Sequence, residues 1–503
     1  MTAATRAVLA IDEGTTGTRS AWVTAAGEVG GIEYRKLSVD YPGPGAVEQD
    51  AAEILRETID AVRSTVAAAE AAGVELVGVA ITQQRLTAVM WDAESGEPLA
   101  PALVWQDSRY TPRLLELATP WYERLFDVLG RPAGFGSPYL WAADVLTHNA
   151  QAAAARDRGT LRVGTIDSWL LFHLTRERLY ATSATNASAA GAYATAEGGY
   201  YAEWVAELGL DAAMLPQIRP DQGDFGTTDP DVVGVELPIL AVIGDQQAGA
   251  IGMGSIRPGQ VMCIHGTGSF VATNNGTARP AYAAAEAPGA IPLVAWRSGD
   301  TTRYYAEGVV PTTGAALEWA CEAMGWFESP KHISEAAESA DGSGGVQFLP
   351  ALAGIMTPAI VPTVTAGVTG LTAATTRPQL ALALLEGVAH SVVDGLDANA
   401  LATGQSPVEM ITGGGLAASA PLLQAQADLS GIPVRRHEGA DVASLRGAAF
   451  LAGATGALWG DLDEAVATLG TPVEFLPTID DAERTARRDA WRRRLAFEIE
   501  SAQ

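Results

Sequence analysis

The stretch "AIDEGTTGTRSAWV" (9–22) crowds two acids, Asp12 and Glu13, against Gly14, Thr15, Thr16 and Arg19. A tight glycine–threonine turn can present successive backbone N–H groups and hydroxyls to phosphate oxygens. Arg19, at the start of the return strand, adds a charge-assisted contact. Asp12 would repel a phosphate, so its use there is as an oxygen ligand for magnesium, directly or through water. The same residues also make a polar β-hairpin with an Asx-type turn, and the segment alone does not choose.

Three further stretches could do chemistry. "GDQQ" (244–247) puts Asp245 at the end of an apolar run, where a carboxylate could take a hydroxyl proton during phosphoryl transfer or simply cap the next helix. "HGTGSF" (265–270) is a second glycine–threonine turn, with Gly266 and Thr267 at its tip. Gly413, Gly414 and Gly415 allow close backbone approach to a flat ligand, or a plain strand-to-helix turn. "QQRLTAVMWD" and "LVWQDSR" bring Arg85, Trp105, Asp107 and Arg109 near strand ends; core packing for Trp105 and a surface ion pair for Arg85 are the alternatives.

The elements that must hold these residues read as an α/β layer. Strand-like runs at 7–11, 19–24 and 30–39 precede a helical pattern at 51–72, then strands at 75–82 and 87–92. "LPILAVI" (237–243) leads into a small-residue helix, and "GQVMCIHGTGSFVATN" (259–274) reads strand, turn, strand. That second pattern echoes the opening one and suggests a duplicated α/β domain. Helical patterns follow at 312–325, 379–403, 419–430, 442–457 and 481–502, with a strand at 408–412. "GMGSIRPG" (252–259) is the expected junction, giving domains 1–253 and 254–503.

Composition removes several classes. A net charge of −27 argues against nucleic acid or an anionic membrane surface as a partner, since either needs a basic face. The only lysines are Lys36 and Lys331, and neither lies in a GxxxxGK[ST] loop or a "VAIK"-like strand. No GxGxxG opens a helix after a strand. Cys263 and Cys321, outside any metal-type spacing, fit reduced core positions of a cytoplasmic protein. The N-terminus shows no secretory h-region, and no run approaches the ~20 apolar residues of a membrane span.

The order of these motifs resembles that of the FGGY carbohydrate kinases, glycerol kinases above all. "IDEGTTGTRS", "ITQQRLTAVMWD", "ALVWQDSR", "TIDSWLLFHLT", "TNAS", "LPQIRP" and "GDQQAGAIG" run in the family's order. "HGTGSF", "EGVVPTTGAALEW" and "GGGLAASAPLLQAQADLSGIPV" follow, and "AGVTGLTAATTRPQLALALLE" (366–386) fits the family's C-terminal signature. The resemblance implies two duplicated actin-like domains, of the ribonuclease H-like, hexokinase and heat-shock ATPase superfamily, around an interdomain cleft whose closure excludes water. It implies ATP and Mg2+, with Asp245 as the general base and Asp12 and Asp245 at the metal. It carries Thr15, Thr16, Arg19, Gly266 and Thr267 to the phosphates. Gly314, Glu318, Gly414, Gly415 and Ser419 go to the nucleotide, in a glycine loop one residue longer than in glycerol kinase. Arg85, Leu86, Trp105, Gln246 and Phe270 go, with Asp245, to the acceptor.

Departures from the family pattern bear on the acceptor. Leu86 stands where glycerol kinases carry Glu; the substrate tyrosine of a "YFS" segment aligns near Gly134; and "TPAIVPTVTAG" (357–367) replaces an aromatic, acidic stretch. Losing a buried carboxylate that pairs with hydroxyls costs about 1–3 kcal/mol of binding, so a wider, less polar pocket is expected. Arg85, absent from the "QMH" run of xylulokinases, favours a short polyol over a ketopentose. No Arg–Gly sugar-phosphate allosteric motif precedes "GDQQ". The expectation is therefore a polyol or sugar kinase, with a pentulose kinase or a non-catalytic ATP-binding regulator as alternatives. A homo-oligomer such as a dimer stays open.

Overall fold

The structure, a computed structural model, describes residues 5–131, 138–280 and 289–502. The chain forms two compact units: Met1–Gly252 with Leu293–Arg303 and Val442–Leu469, and Met253–Pro292 with Tyr304–Asp441 and Gly470–Gln503.

Unit 1 is built on a five-stranded sheet. Strands β1 (Thr5–Glu13), β2 (Gly17–Thr24) and β3 (Val29–Lys36) form an antiparallel meander; helix α1 (Ala51–Ala71) then crosses to β4 (Val74–Gln83). β4 runs parallel to β1, and β5 (Ile239–Gly244) parallel to β4, giving the order β5-β4-β1-β2-β3. The apolar stretch of β1 is buried without alternation, as a strand covered on both faces requires. α1 starts at Asp50, whose carboxylate accepts from Ala52 N at 2.9 Å, and buries Ile54, Thr58, Ala61, Val62, Thr65 and Ala69 at helical spacing. Helix α2 (Asp245–Gly252) follows β5 without a loop.

Unit 2 repeats this grammar. β6 (Gln260–His265), β7 (Ser269–Gly276) and β8 (Thr301–Val310) lie side by side as three antiparallel strands. Helices α3 (Gly314–Glu322) and α4 (Arg377–Thr403) precede β9 (Glu409–Gly414), which lies parallel to β6; helix α5 (Ala420–Ser430) leads to β10 (Val434–Arg436), parallel to β9. Three antiparallel strands followed by two parallel ones is the pairing pattern of unit 1, so the echo between the two sequence stretches is an echo of topology. α4 opens with a capping box, Thr376 with Gln379. By length and composition α4 could span a bilayer, contrary to the expectation that no run is long and apolar enough, but 78% of its most apolar window is buried.

A single cut at 253/254 does not describe the two compact units, and helix packing is the reason. Helix α6 (Ala443–Gly453), late in the chain, belongs to unit 1 because it lies backbone to backbone on α2. A Cβ on Gly252 would stand 1.9 Å from Ala443 O, and one on Gly447 1.8 Å from Ala248 O. Arg446 seals the contact, donating Nε and Nη2 to the Gly252 carbonyl at 3.1 and 2.9 Å. Cys263 and Cys321 are both buried free thiols.

Candidate active site

In unit 1 the parallel strands β1, β4 and β5 end side by side: Asp12 is registered with Thr82, Glu13 with Gln83, and Gln83 with Gly244. Asp12, Arg85 and Asp245 therefore emerge together at the carboxyl edge of the sheet, where open α/β sheets gather ligands. The Asp245 carboxylate raises the Asp12 pKa through space. Burial is the larger cause, Arg19 opposes it, and Asp12 is pushed up to about 7. Arg19 is the antiparallel partner of Asp12 on β2, its guanidinium 5.7 Å from the centre of the Tyr34 ring.

Arg85 Nε stands 3.7 Å from Asp245 Oδ1. A Cβ on Gly244 would stand 2.7 Å from Gln247 Oε1 and 3.0 Å from Arg85 Cγ, so the glycine before the acid leaves room for both side chains. Asp245 also accepts from its neighbour's amide, Gln246 N, at 2.8 Å, and its carbonyl accepts from Ser444 Oγ at 3.0 Å. Asp245 is thus held by Arg85 from the loop after β4, by Gln246 of α2 and, at its carbonyl, by Ser444 of α6, rather than serving as a helix cap alone. Leu86 occupies the left-handed region, with φ 71°. A side chain branched at Cγ is uncommon there and strained.

The first turn is anchored by side chains. Gly14 N donates to Gly17 O at 3.1 Å, leaving Thr15 and Thr16 at the tip. The Thr16 carbonyl accepts from Tyr34 OH at 3.1 Å, and a Cβ on Gly17 would sit 2.4 Å from that ring. The Thr15 hydroxyl is engaged by Gln84 (3.0 Å) and by the Trp105 indole N–H (2.9 Å). The turn thus touches the same tryptophan that the resemblance carries to the acceptor. Asp107 and Arg109 do other work. Asp107 accepts from Val47 N at 2.9 Å, while Arg109 bridges Asp107 (2.7 Å) and Glu48 (2.8 Å), pinning the 45–48 loop.

In unit 2 the second turn is anchored by backbone. Gly266 N donates to Gly268 O at 2.8 Å. The amides of Gly314 and Ala315, at the start of α3, donate to Gly266 O (3.2 Å) and Thr267 O (3.0 Å). This contact needs glycine: a Cβ on Gly314 would lie 2.4 Å from Gly266 O. Gly414, at φ 83°, is registered with His265 on β6, and a Cβ there would lie 2.1 Å from the His265 carbonyl. The triple glycine and the second turn are therefore neighbours. Gly266, Thr267, Gly414, Gly415 and Glu318 are exposed and Phe270 is half-buried, while Ser419 is buried and accepts from Ser334 Oγ at 2.7 Å. Gly134 lies outside the described residues.

Several residues of these clusters carried no signal in the sequence. Glu13 is fully buried, receives Thr58 Oγ1 at 2.7 Å, and is pushed up to about 8, chiefly by burial. His265 is buried, with its ring nitrogens at Ser269 Oγ (2.7 Å) and the Gln426 amide (3.0 Å); Ser269 also bonds Thr313 Oγ1 at 2.8 Å. Burial depresses its pKa to about 4, so it is neutral near pH 7. Gln49, Gln84 and Thr87 hold Trp105 and the first turn. Their polar, buried character is invisible until α1, β4 and the turn are folded together.

Two family models match the chain: the N-terminal domain of the FGGY family of carbohydrate kinases over residues 7–252, and the C-terminal domain of that family over residues 261–456. The chain belongs to the FGGY family of carbohydrate kinases. Among its relatives, a glycerol kinase of Thermus brockianus is 35% identical over 490 residues, covering 97% of each chain. One of Citrifermentans bemidjiense is 36% identical over 495 residues, again 97% of each. The crystal structure of Plasmodium falciparum glycerol kinase with ADP superimposes with a TM-score of 0.90 at 25% identity over 98% of each chain. Xylulose kinase from Rhodospirillum rubrum shares the fold, with a TM-score of 0.82 at 22% identity over 98% of each chain.

Proposed function

We propose that this carbohydrate kinase transfers the γ-phosphoryl group of ATP to a hydroxyl of a small polyol or related sugar. The observation that carries the reading is the juxtaposition, in unit 1, of Asp245, Arg85 and Asp12 at the carboxyl edge of three parallel strands. Asp245 takes the acceptor's hydroxyl proton as the phosphoryl group moves. Arg85, beside it, orients that acceptor together with Trp105 and Gln246. Leu86 contributes an apolar contact in place of an acid, and Phe270 another. Thr15, Thr16, Arg19, Gly266 and Thr267 are the phosphate contacts of this reading. Gly314, Glu318, Gly414, Gly415 and Ser419 line the nucleotide.

Magnesium fits the donor set. Two carboxylates, Asp12 and Asp245, are close enough for one to raise the other's pKa, and a hard divalent cation accepts such oxygen ligands while keeping its waters. No group of three or more His, Cys, Asp or Glu side chains that could hold a metal ion occurs among the described residues. Bound, it would neutralise charge on the β- and γ-phosphates. A cytoplasmic location is part of the reading, since ATP is its phosphoryl donor.

The test is a coupled ADP-release assay over a panel of polyols and ketoses, with Asp245→Asn alongside. Turnover with a polyol that disappears in Asp245→Asn supports the reading. Turnover with ketopentoses alone makes the chain a pentulose kinase, and unchanged turnover in the variant removes Asp245 as the base.

A further inference from the structure

A closed ring of hydrogen bonds underlies Trp105. The indole Nε1–H donates to Thr15 Oγ1 at 2.9 Å, and the Trp105 backbone N–H donates to Thr87 Oγ1 at 3.2 Å. Because an N–H can only donate, both hydroxyls are acceptors there, and each has a single proton left to give. Both give it to the same atom, Gln84 Oε1, each at 3.0 Å. That fixes the Gln84 amide, whose Nε2 then donates to Gln49 Oε1 at 3.0 Å. Gln49 in turn directs its Nε2 to the Thr15 carbonyl at 2.8 Å and to the Ser38 carbonyl at 3.3 Å. The Gln84 amide N–H donates to Glu13 O at 2.7 Å, tying the ring to the end of β1.

Every donor direction in this ring follows from the one before it. Gln49 and Gln84 are 1% and 2% exposed, and Thr87 is fully buried, whereas Trp105 is 39% exposed. A buried, fully satisfied network therefore carries one accessible aromatic ring and one accessible turn, and it cannot relax at one end without loss at the other. Gln49 reaches the turn without touching Trp105, so its position would be idle if the network served only to hold the indole.

We infer that Gln84 and Gln49 are positioning residues that couple occupancy of the Thr15–Thr16 turn to the orientation of Trp105, so that nucleotide and acceptor strengthen each other's binding. This rests on the reading of the turn as a phosphate contact and of Trp105 as an acceptor contact. A phosphate oxygen drawing on the tip of the turn shifts Thr15. The shift passes through its hydroxyl directly to the indole, and through Gln49 and Gln84 to the Thr87 clasp on the Trp105 backbone. Coupling between ligands is reciprocal, so the same factor appears whichever ligand is added first.

The test measures, for the whole chain, the dissociation constant of glycerol, or of the best acceptor from the panel, with and without a non-hydrolysable ATP analogue. The wild-type chain is expected to show at least about fivefold tightening, the lower end of ordinary coupling. Gln84→Met, nearly isosteric but unable to make either half of the bridge, is expected to bring that factor close to one, with the acceptor KM rising more than kcat falls. Gln49→Met is the second variant, should the first fold poorly. It leaves the clasp on Trp105 and the direct Thr15–indole bond intact, so it should lower the coupling to a value between those of the wild-type chain and Gln84→Met, and adding it to Gln84→Met should change little. An independent readout is the indole N–H resonance of Trp105, assigned by its loss in Trp105→Phe. The analogue alone, without acceptor, should move it in the wild-type chain and by less in Gln49→Met, where only the direct bond from Thr15 to the indole remains. A wild-type coupling factor of one, or an unchanged factor in both variants, overturns the inference. Absence of any phosphoryl transfer by the wild-type chain instead overturns the functional reading beneath it.

Discussion

The two glycine–threonine turns share a place in their sheets and differ in how they are held. Both join the first two of three antiparallel strands, Glu13 to Gly17 and His265 to Ser269, and both lie next to a parallel strand, β4 or β9. In unit 1 the turn is fastened from outside by long side chains: Gln84, Gln49, Trp105 and Tyr34. In unit 2 it is fastened by backbone, with the amides of α3 on its carbonyls and Gly314 and Gly414 pressed against it. Side-chain anchors leave a turn responsive to what its neighbours bind, whereas glycine packing leaves it rigid and intolerant of a single added carbon. One motif has been built once as a coupled element and once as a fixed cradle.

The largest effect tests the acid that only unit 1 provides. Asp245→Asn should lower kcat by about 10²–10⁴-fold, the usual contribution of a positioned general base, while calorimetry still detects ADP binding. Retained activity would dissolve the functional asymmetry between the units.

The next test sharpens the contrast in the turns themselves. Gly414→Ala adds a Cβ 2.1 Å from a backbone carbonyl at φ 83°, a contact that only backbone movement can relieve. It should destabilise unit 2 by about 2–4 kcal/mol and weaken nucleotide binding. Gly14→Ala meets only Gly17 O at 3.1 Å, outside the left-handed region. It should cost under about 1 kcal/mol by the standard of mutations that create no severe clash. Chemical denaturation of both variants decides it: equal losses would mean that the first turn is as rigid as the second.

The third test uses pH. His265 has its pKa lowered from 6.5 to about 4, with burial as the cause, against a small opposing effect of the Gln426 bond. Above about pH 6.5 neither the folded nor the unfolded chain binds the proton, and the contribution is fully present. As pH falls from there toward about 4, the unfolded chain takes the proton first, so stability is lost. The loss attributable to this residue is up to about 3 kcal/mol, from 1.36 kcal/mol for each pKa unit. His265→Gln should flatten that part of the stability–pH curve. A curve parallel to the wild type's would show that the buried imidazole beside the second turn does not carry that pH dependence.

The smallest effect concerns a pair that looked chemical in sequence. Arg109→Met should lower stability by about 1 kcal/mol, as for a partly exposed ion pair, and leave the acceptor KM unchanged. A large KM effect would show that Asp107 and Arg109 do more than clamp the 45–48 loop.

The positions of the two turns, Asp12, Asp245 and the glycine run were legible because glycine, threonine and acid residues beside apolar strands are a local pattern. The strands at 75–82 and 237–243 and the helix at 379–403 were legible for the same reason, since strand and helix periodicity is written in consecutive residues. Glu13, Gln49, Gln84, His265 and Gln426 were not, because nothing local separates a buried polar residue from an exposed one. Asp107 and Arg109 read as chemistry and proved to be a loop clamp, because the Glu48 that completes their ion pairs lies far off in sequence.

The sequence by itself determined the element types, the duplicated turn and the family, because each rests on short-range pattern or on motif order. Tertiary structure decided where compact units begin and end, since the glycine-to-backbone packing of α6 on α2 draws residues 442–469 into unit 1. It also decided which polar residues act together, because a hydrogen bond between Gln84 and Gln49, or between His265 and Gln426, exists only when strands and helices distant in sequence exclude water from the same few ångströms.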